Sequence, residues 1–235
     1  MIILPAVLRR TPQGARGSTG GLCIQGQTVM AQKKIVHLFI DSQNMYKGAR
    51  RAFGDTEYSG HVEGQFWPMK MGELLCSKQS KGDPPRELGG VHIYTGQPSN
   101  RRNPKGYAAN RRQVAAWERS GVRVVHRPLK YSGDPNEKPR EKGIDVSLAI
   151  DFITYALDGH YTVGIIASTD TDLVPALEFV MSRTPEEIQV EVTSWQYPYG
   201  SSPHLSSPTG YIPWRAITQP EYLSIADRTD YNIKK

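Results

Sequence analysis

The chain has little cysteine and no long apolar stretch. Its 235 residues include only Cys23 and Cys76. Two thiols so far apart exclude a disulfide framework or a thiolate metal site, so reduced cysteines and a cytoplasmic location are expected. No apolar run approaches the ~18 residues of a bilayer-crossing helix, so no membrane association is expected. The opening run, Met1 to Leu8, has Arg9 and Arg10 behind it, whereas a secretory signal carries its positive charge in front. Residues 11–29 are rich in Gly, Thr and Gln and lack periodicity. They read, with the first ten, as a disordered or miscalled N-terminal extension, with Met30 as the natural start. No internal repeat is visible. A hydrophobic fraction of 38% is modest but sufficient for one domain with appendages.

Charge is plentiful, and its placement matters more than its total of +6. From Arg101 to Lys142 there are 12 Lys or Arg against 4 Asp or Glu, a local excess of eight positive charges. That exceeds the net charge of the whole chain, so the remainder is slightly acidic. A basic block suits a polyanionic partner; a charge run alone also suits a solvated surface. Arg101, Arg102, Arg111, Arg112 and Lys142 are the candidates for phosphate contacts. Trp117, spaced one helical turn from Val114, reads as core rather than as a base-stacking surface.

Apolar runs of strand length alternate with helical patterns. Strands are expected at Ile35–Ile40, Val91–Thr95, Val122–Tyr131, Val163–Ser168 and Ile188–Trp195. Helices are expected at Met45–Phe53, Trp67–Ser77, Tyr107–Ser120, Ile144–Leu157 and about Leu173–Arg183. Residues 78–90 read as a connector, and the proline- and serine-rich stretch after Trp195 as a surface wrap or tail. Such alternation predicts an α/β fold with a mainly parallel central sheet.

Two of the strands end on aspartates: Ile40 runs into Asp41, and Ser168 into Thr169-Asp170-Thr171-Asp172. Ligands of open α/β sheets gather at the carboxyl ends of strands. Carboxylates converging there repel one another, and a divalent cation relieves the repulsion. Asp145 opens the helix between them. Each aspartate alone has an ordinary role as a cap or turn residue; together they predict an acidic, metal-dependent site. Asn44 reads equally as a helix N-cap or as a neutral ligand for a metal water or phosphate. Asp151, about 120° around the helix from Asp145, reads as a partner for a cation.

Three segments carry a resemblance: Ile40-Asp41-Ser-Gln-Asn44-Met-Tyr-Lys-Gly48, Lys142-Gly-Ile-Asp145-Val-Ser-Leu-Ala-Ile-Asp151 and Ser168-Thr-Asp170-Thr-Asp172-Leu-Val-Pro175. In this order they resemble the NYN domain, a family of the PIN-like ribonuclease group, over about residues 33–195. Ser42 stands where glycine is common, and no carboxylate is missing. The resemblance implies a three-layer α/β/α fold and hydrolysis of RNA phosphodiester bonds, single-stranded or looped RNA being the preferred guess. It also implies Mg²⁺ or Mn²⁺ held by Asp41, Asp145, Asp170 and Asp172, with Asn44 assisting. Residues 196–235 fall outside it, as an extension packed on or trailing the domain. Two rival readings stay open: a catalytically inactive RNA-binding or protein-interaction module on the same fold, and an Asp-x-Asp phosphatase built on Asp170-Thr-Asp172-Leu-Val174. RNA target, cleavage mode, protein partners and homo-oligomer formation are left open.

Overall fold

The buried strand Lys34–Asp41 (β1) lies at the centre of the molecule, its last six residues sealed from solvent. The structure is a computed structural model that describes residues 32–54, 60–79, 82–134, 137–184 and 188–233. The expectation for residues 1–29 falls outside these, as does Cys23. Around β1 stand Arg86–Gln97 (β2), Arg123–Pro128 (β3), Val163–Ala167 (β4), Gln189–Trp195 (β5) and Trp214–Ile217 (β6). They form one six-stranded sheet in the order β3-β2-β1-β4-β5-β6, every pairing parallel. Parallel pairing is why the inner strands are apolar on both faces: each face must be covered by the crossing helices.

Those helices are Ser42–Phe53 (α1), Pro68–Ser77 (α2), Pro104–Arg119 (α3), Ile144–Leu157 (α4), Val174–Arg183 (α5) and Gln219–Ile225 (α6). One core packs Leu38, Ile40 and Ile165 against Met45, Leu75, Trp117 and Tyr222; the other packs Phe39, Ile166 and Val192 against Leu148, Phe152 and Leu177. The result is the expected three-layer α/β/α architecture. No helix among the described residues is long and apolar enough to cross a membrane.

Local sequence explains the helix ends. Asn103 accepts a hydrogen bond from Gly106 N (2.9 Å) with Pro104 in the first helical position, the pairing that starts α3 a turn before the expected Tyr107. Gly48 lets α1 press onto the sheet. A β-carbon there would stand 2.9 Å from the Trp195 ring, whose indole N–H is bonded to Met45 O.

Two segments depart from expectation. The stretch expected as a connector is strand from Arg86 onward, pairing with β1. The stretch after Trp195, expected as a surface wrap or tail, supplies β6 and α6 and buries Leu205, Ile217 and Tyr222. Hydrophobic periodicity is too short in a four-residue strand to announce itself between prolines.

Candidate active site

The strand order reverses at β1: β2 and β3 lie to one side, β4, β5 and β6 to the other. Such a switch point opens a crevice at the carboxyl ends of the two central strands. Ile40 pairs with Ala167 there, so Asp41 and Ser168 leave the sheet side by side. Both belong to short buried runs whose polar ends have nowhere to go but the crevice.

Asp41 is the N-cap of α1 and only 8% exposed. Its Oδ1 accepts from Asn44 N (3.0 Å), and its Oδ2 accepts from the Ser168 hydroxyl (3.4 Å). The Ser168 oxygen in turn accepts from Asp170 N (3.1 Å). One buried hydroxyl therefore links the two aspartate-bearing strand ends. Asp170 caps the short 3-10 turn Thr171–Leu173, accepting from Asp172 N (3.1 Å). Asp145 sits in the first turn of α4, which Gly143 enters in the left-handed conformation (φ 74°). Because β3 runs toward the same edge, the helix that follows its loop starts there.

Asp41, Asn44, Asp145 and Asp170 line one cleft of about 730 Å³. Three of the four predicted carboxylates therefore line the same cleft. Asp172 is exposed and is absent from the lining. Asn44 is not the helix N-cap, one of the two roles expected of it. The cap is Asp41, and Asn44 Oδ1 accepts from both the backbone N and the hydroxyl of Thr169 (3.0 and 3.1 Å). Since a backbone N–H must be donating, the amide orientation is fixed. Asn44 ties α1 to the loop after β4 and presents its NH₂ group, a donor, as its remaining polar group.

A further carboxylate, Glu141, completes the wall. Its Oε1 accepts from Gly96 N (2.7 Å). Sequence reading passed over it as one charge in a basic stretch, and no short-range signal marks it. Burial raises the pKa of Asp41, and the neighbouring Asp170 raises it further against the Asn44 N–H bond. Burial likewise raises that of Glu141; the Gly96 bond and Lys47 oppose this, while Asp41 and Asp145 add to it. These groups feel one another as like charges in a shared, partly dry space.

Cations on this cleft come from other positions than those predicted. Lys47, Arg51, Lys138 and Arg140 line it, with Lys47 bonded to Gln43 Oε1 (2.8 Å) and Arg140 paired with Glu137. Arg101 and Arg102 are exposed on the turn before α3, and Lys142 is exposed beside Gly143; none lines the cleft. Arg111 and Arg112 line a separate groove of about 500 Å³, where Arg112 Nε is bonded to Tyr231 O (2.7 Å). Asp151 behaves as expected, pairing with Arg123 (2.6 Å) and accepting from Tyr94 OH (2.8 Å).

The donor set fits a hard divalent ion: all its candidate ligands are carboxylate oxygens, and their mutual repulsion is what such an ion relieves. Among the described residues, no three acidic, imidazole or thiol side chains already stand together closely enough to hold it.

Comparison with known proteins adds the lineage. The sequence model of the NYN domain matches residues 35–211. No curated protein matches significantly. Among solved structures, a protein of unknown function from Vibrio parahaemolyticus RIMD 2210633 is similar at 22% identity, covering 69% of this chain and 82% of its own, with a TM-score of 0.46.

Proposed function

The chain belongs to the NYN domain family, a PIN-like nuclease family, and on that footing we propose that it is a metal-dependent ribonuclease. The observation that carries this reading is that Asp41, Asp170 and the neighbouring pair Glu141 and Asp145, from three separate parts of the chain, line one cleft at the switch point of a parallel sheet. A structural role for each residue separately does not require that they meet.

Asp41, Asp145 and Asp170 are the residues that would hold Mg²⁺ or Mn²⁺. Once bound, such an ion polarises the scissile phosphate and lowers the pKa of an attacking water. Ser168 and the Asn44 backbone N–H fix the Asp41 carboxylate, so its oxygens face the cleft without rotamer search. Glu141, kept more basic than a surface carboxylate by burial, is placed to accept a proton from the attacking water. Lys47, Arg51 and Lys138 hold the backbone phosphates on either side of the reacting one. Asn44 donates its amide N–H toward a phosphate oxygen. Asp172 supports the loop and is a secondary ligand at most.

The inactive-module reading draws on one observation, that no three ligands are pre-gathered among the described residues. The phosphatase reading needs both Asp170 and Asp172 in one site, and only Asp170 lines the cleft, which speaks against it.

Incubation of the purified chain with labelled single-stranded and hairpin RNAs, in Mg²⁺, Mn²⁺ or chelator, decides between these. Metal-dependent cleavage that Asp41→Asn removes is the expected result. Binding without cleavage under every metal would leave the inactive module.

A further inference from the structure

The acidic cleft shares two of its walls, Gln43 and Glu141, with a second cavity of about 310 Å³. We propose that this second cavity is a nucleobase pocket, which receives one unstacked base of the strand whose phosphates occupy the cleft. The proposal rests on the reading of the cleft as an RNA site and adds to it a determinant of sequence preference.

Its size lies at the lower end of small-ligand sites, right for a single ring system rather than a peptide. Its lining combines ring surfaces, from Tyr46, Phe66 and Trp117, with the side-chain amides of Asn110 and of Gln65 and Gln113, the last donating to Gln65 Oε1 (3.2 Å) while Gln65 Nε2 donates to His61 O (3.1 Å). Proteins that read single-stranded RNA use this pairing: rings stack on the base face, and amides bond to its edge. Solvated surface amides would need no such neighbours.

Two polar atoms on side chains that line the cavity support a polar guest. Trp117 Nε1 and Asn110 Oδ1 are buried, and among the described residues neither has a hydrogen-bond partner. Trp117 is only 4% exposed, so its ring belongs to the core as the helical spacing predicts, yet its N–H serves nothing there. Of the other three indoles, Trp195 donates to Met45 O (2.8 Å) and Trp214 to Ser194 Oγ (2.9 Å), while the half-buried Trp67 lies outside this cavity. An indole nitrogen can only donate, and an amide oxygen can only accept. Both residues line the cavity, so a base seated there would bring polar edge atoms to a donor and an acceptor that have no partner among the described residues. A purely apolar fragment would leave both unsatisfied. Glu141, held by Gly96 N–H, stands between base and phosphate and fixes the spacing of the two sites.

The test uses the full chain carrying Asp41→Asn, in chelator, with fluorescently labelled single-stranded oligonucleotides that differ in one base type. Anisotropy should show one base type bound about tenfold more tightly than the weakest, the equivalent of one well-made hydrogen bond. Trp117→Phe and Asn110→Leu should each erase that preference and leave the affinity for the weakest sequence unchanged. Ala109→Leu, from a half-buried position on the cavity wall, should do the same by filling it, without touching the core under Trp117. Equal affinity for all base types in the parent, or a preference that all three variants retain, overturns the pocket. Selective binding combined with no cleavage by the unmodified chain upholds the pocket and removes the nuclease reading. Cleavage combined with equal affinities does the reverse.

Discussion

Asp41 and Glu191 are both nearly sealed from water, and their surroundings could hardly differ more. Glu191, fully buried in β5, accepts from Arg86 (2.7 and 3.1 Å), Arg215 (2.5 and 3.0 Å) and the Gln189 amide (2.7 Å). Burial alone would raise its pKa, but the two guanidinium groups hold its carboxyl below the usual range. Asp41 has the backbone N–H groups of Asn44 and Gln43 and the Ser168 hydroxyl as partners, with Asp170 nearby, and burial above all raises its pKa. Among the described residues no cation pairs with Asp41, Asp145 or Asp170. Glu191 is buried with its charge compensated inside the fold; Asp41 is buried beside the half-buried Asp145 and Asp170 with compensation left to something from outside. That contrast separates a structural acid from a functional one better than burial or shift alone.

The largest expected effect is in the cleft. Asp41→Asn or Asp170→Asn should lower metal-dependent RNA cleavage by about 10³-fold or more, since each removes a charged oxygen donor rather than a shape. The same Asp41 variant should hold or gain stability, by roughly 1 kcal/mol, because it removes a buried charge that repels its neighbours. Calorimetry without metal would read this as a melting temperature unchanged or raised by about 2–4 °C. A clear drop in melting temperature would mean that Asp41 is structural, and the contrast with Glu191 would fail.

The opposite pattern is expected at Glu191. Glu191→Gln leaves two guanidinium groups facing a neutral amide, one of them on Arg86 with a side chain only 2% exposed. Breaking a buried ionic group this way costs about 3–5 kcal/mol, seen in denaturant titration, while the cleavage rate of the still-folded fraction stays the same. Its pH dependence has a definite sign. The folded pKa of Glu191 is depressed, so its contribution is fully present above the unfolded glutamate value of about 4.3 and is lost as pH falls through the folded value. The stability gap between the native chain and Glu191→Gln should therefore be constant from about pH 5 to 8 and close in more acid solution. A gap that persists into acid would mean that packing, not charge, holds β5 in place.

These two regions also differ in how far the sequence discloses them. The cleft is written locally: an apolar run that stops on an aspartate predicts a strand end, and parallel strands put their ends on one edge. Asp41 and Asp170 follow from that rule, and Asp145 from its corollary that helices start where parallel strands finish. Glu141 does not, because its place comes from a loop closing over Gly96, a contact of distant parts of the chain. The Glu191 cluster is nearly invisible. In Gln189-Val-Glu-Val-Thr-Ser-Trp195 the alternation would send Glu191 to solvent. It is buried because Arg86 and Arg215 cover it. Both come from segments whose prolines and glycines mask short strands: the stretch before Val91 and the tail after Trp195. The predicted phosphate arginines went astray similarly. A charge count locates a basic stretch but not which face of α3 it lies on, and the loop beyond β3 is the part of that stretch that reaches the cleft.

The smallest expected effect concerns the aspartate on which sequence and structure part company. Asp172 lies in the same strand-end segment as Asp170, and the family resemblance groups the two as ligands. In the structure its backbone N–H caps onto Asp170 Oδ1 (3.1 Å) while its side chain is exposed outside the cleft lining. The part of Asp172 that serves the site is thus its amide, which every residue except proline supplies. Asp172→Asn should cost at least tenfold less cleavage activity than Asp170→Asn, measured side by side in Mn²⁺ at saturating RNA. If the two variants are equally impaired, the turn at Thr171–Leu173 must swing when metal and RNA bind and carry Asp172 into the cleft. The boundary between the charge compensated from outside and the merely solvated surface would then lie one turn further along the chain.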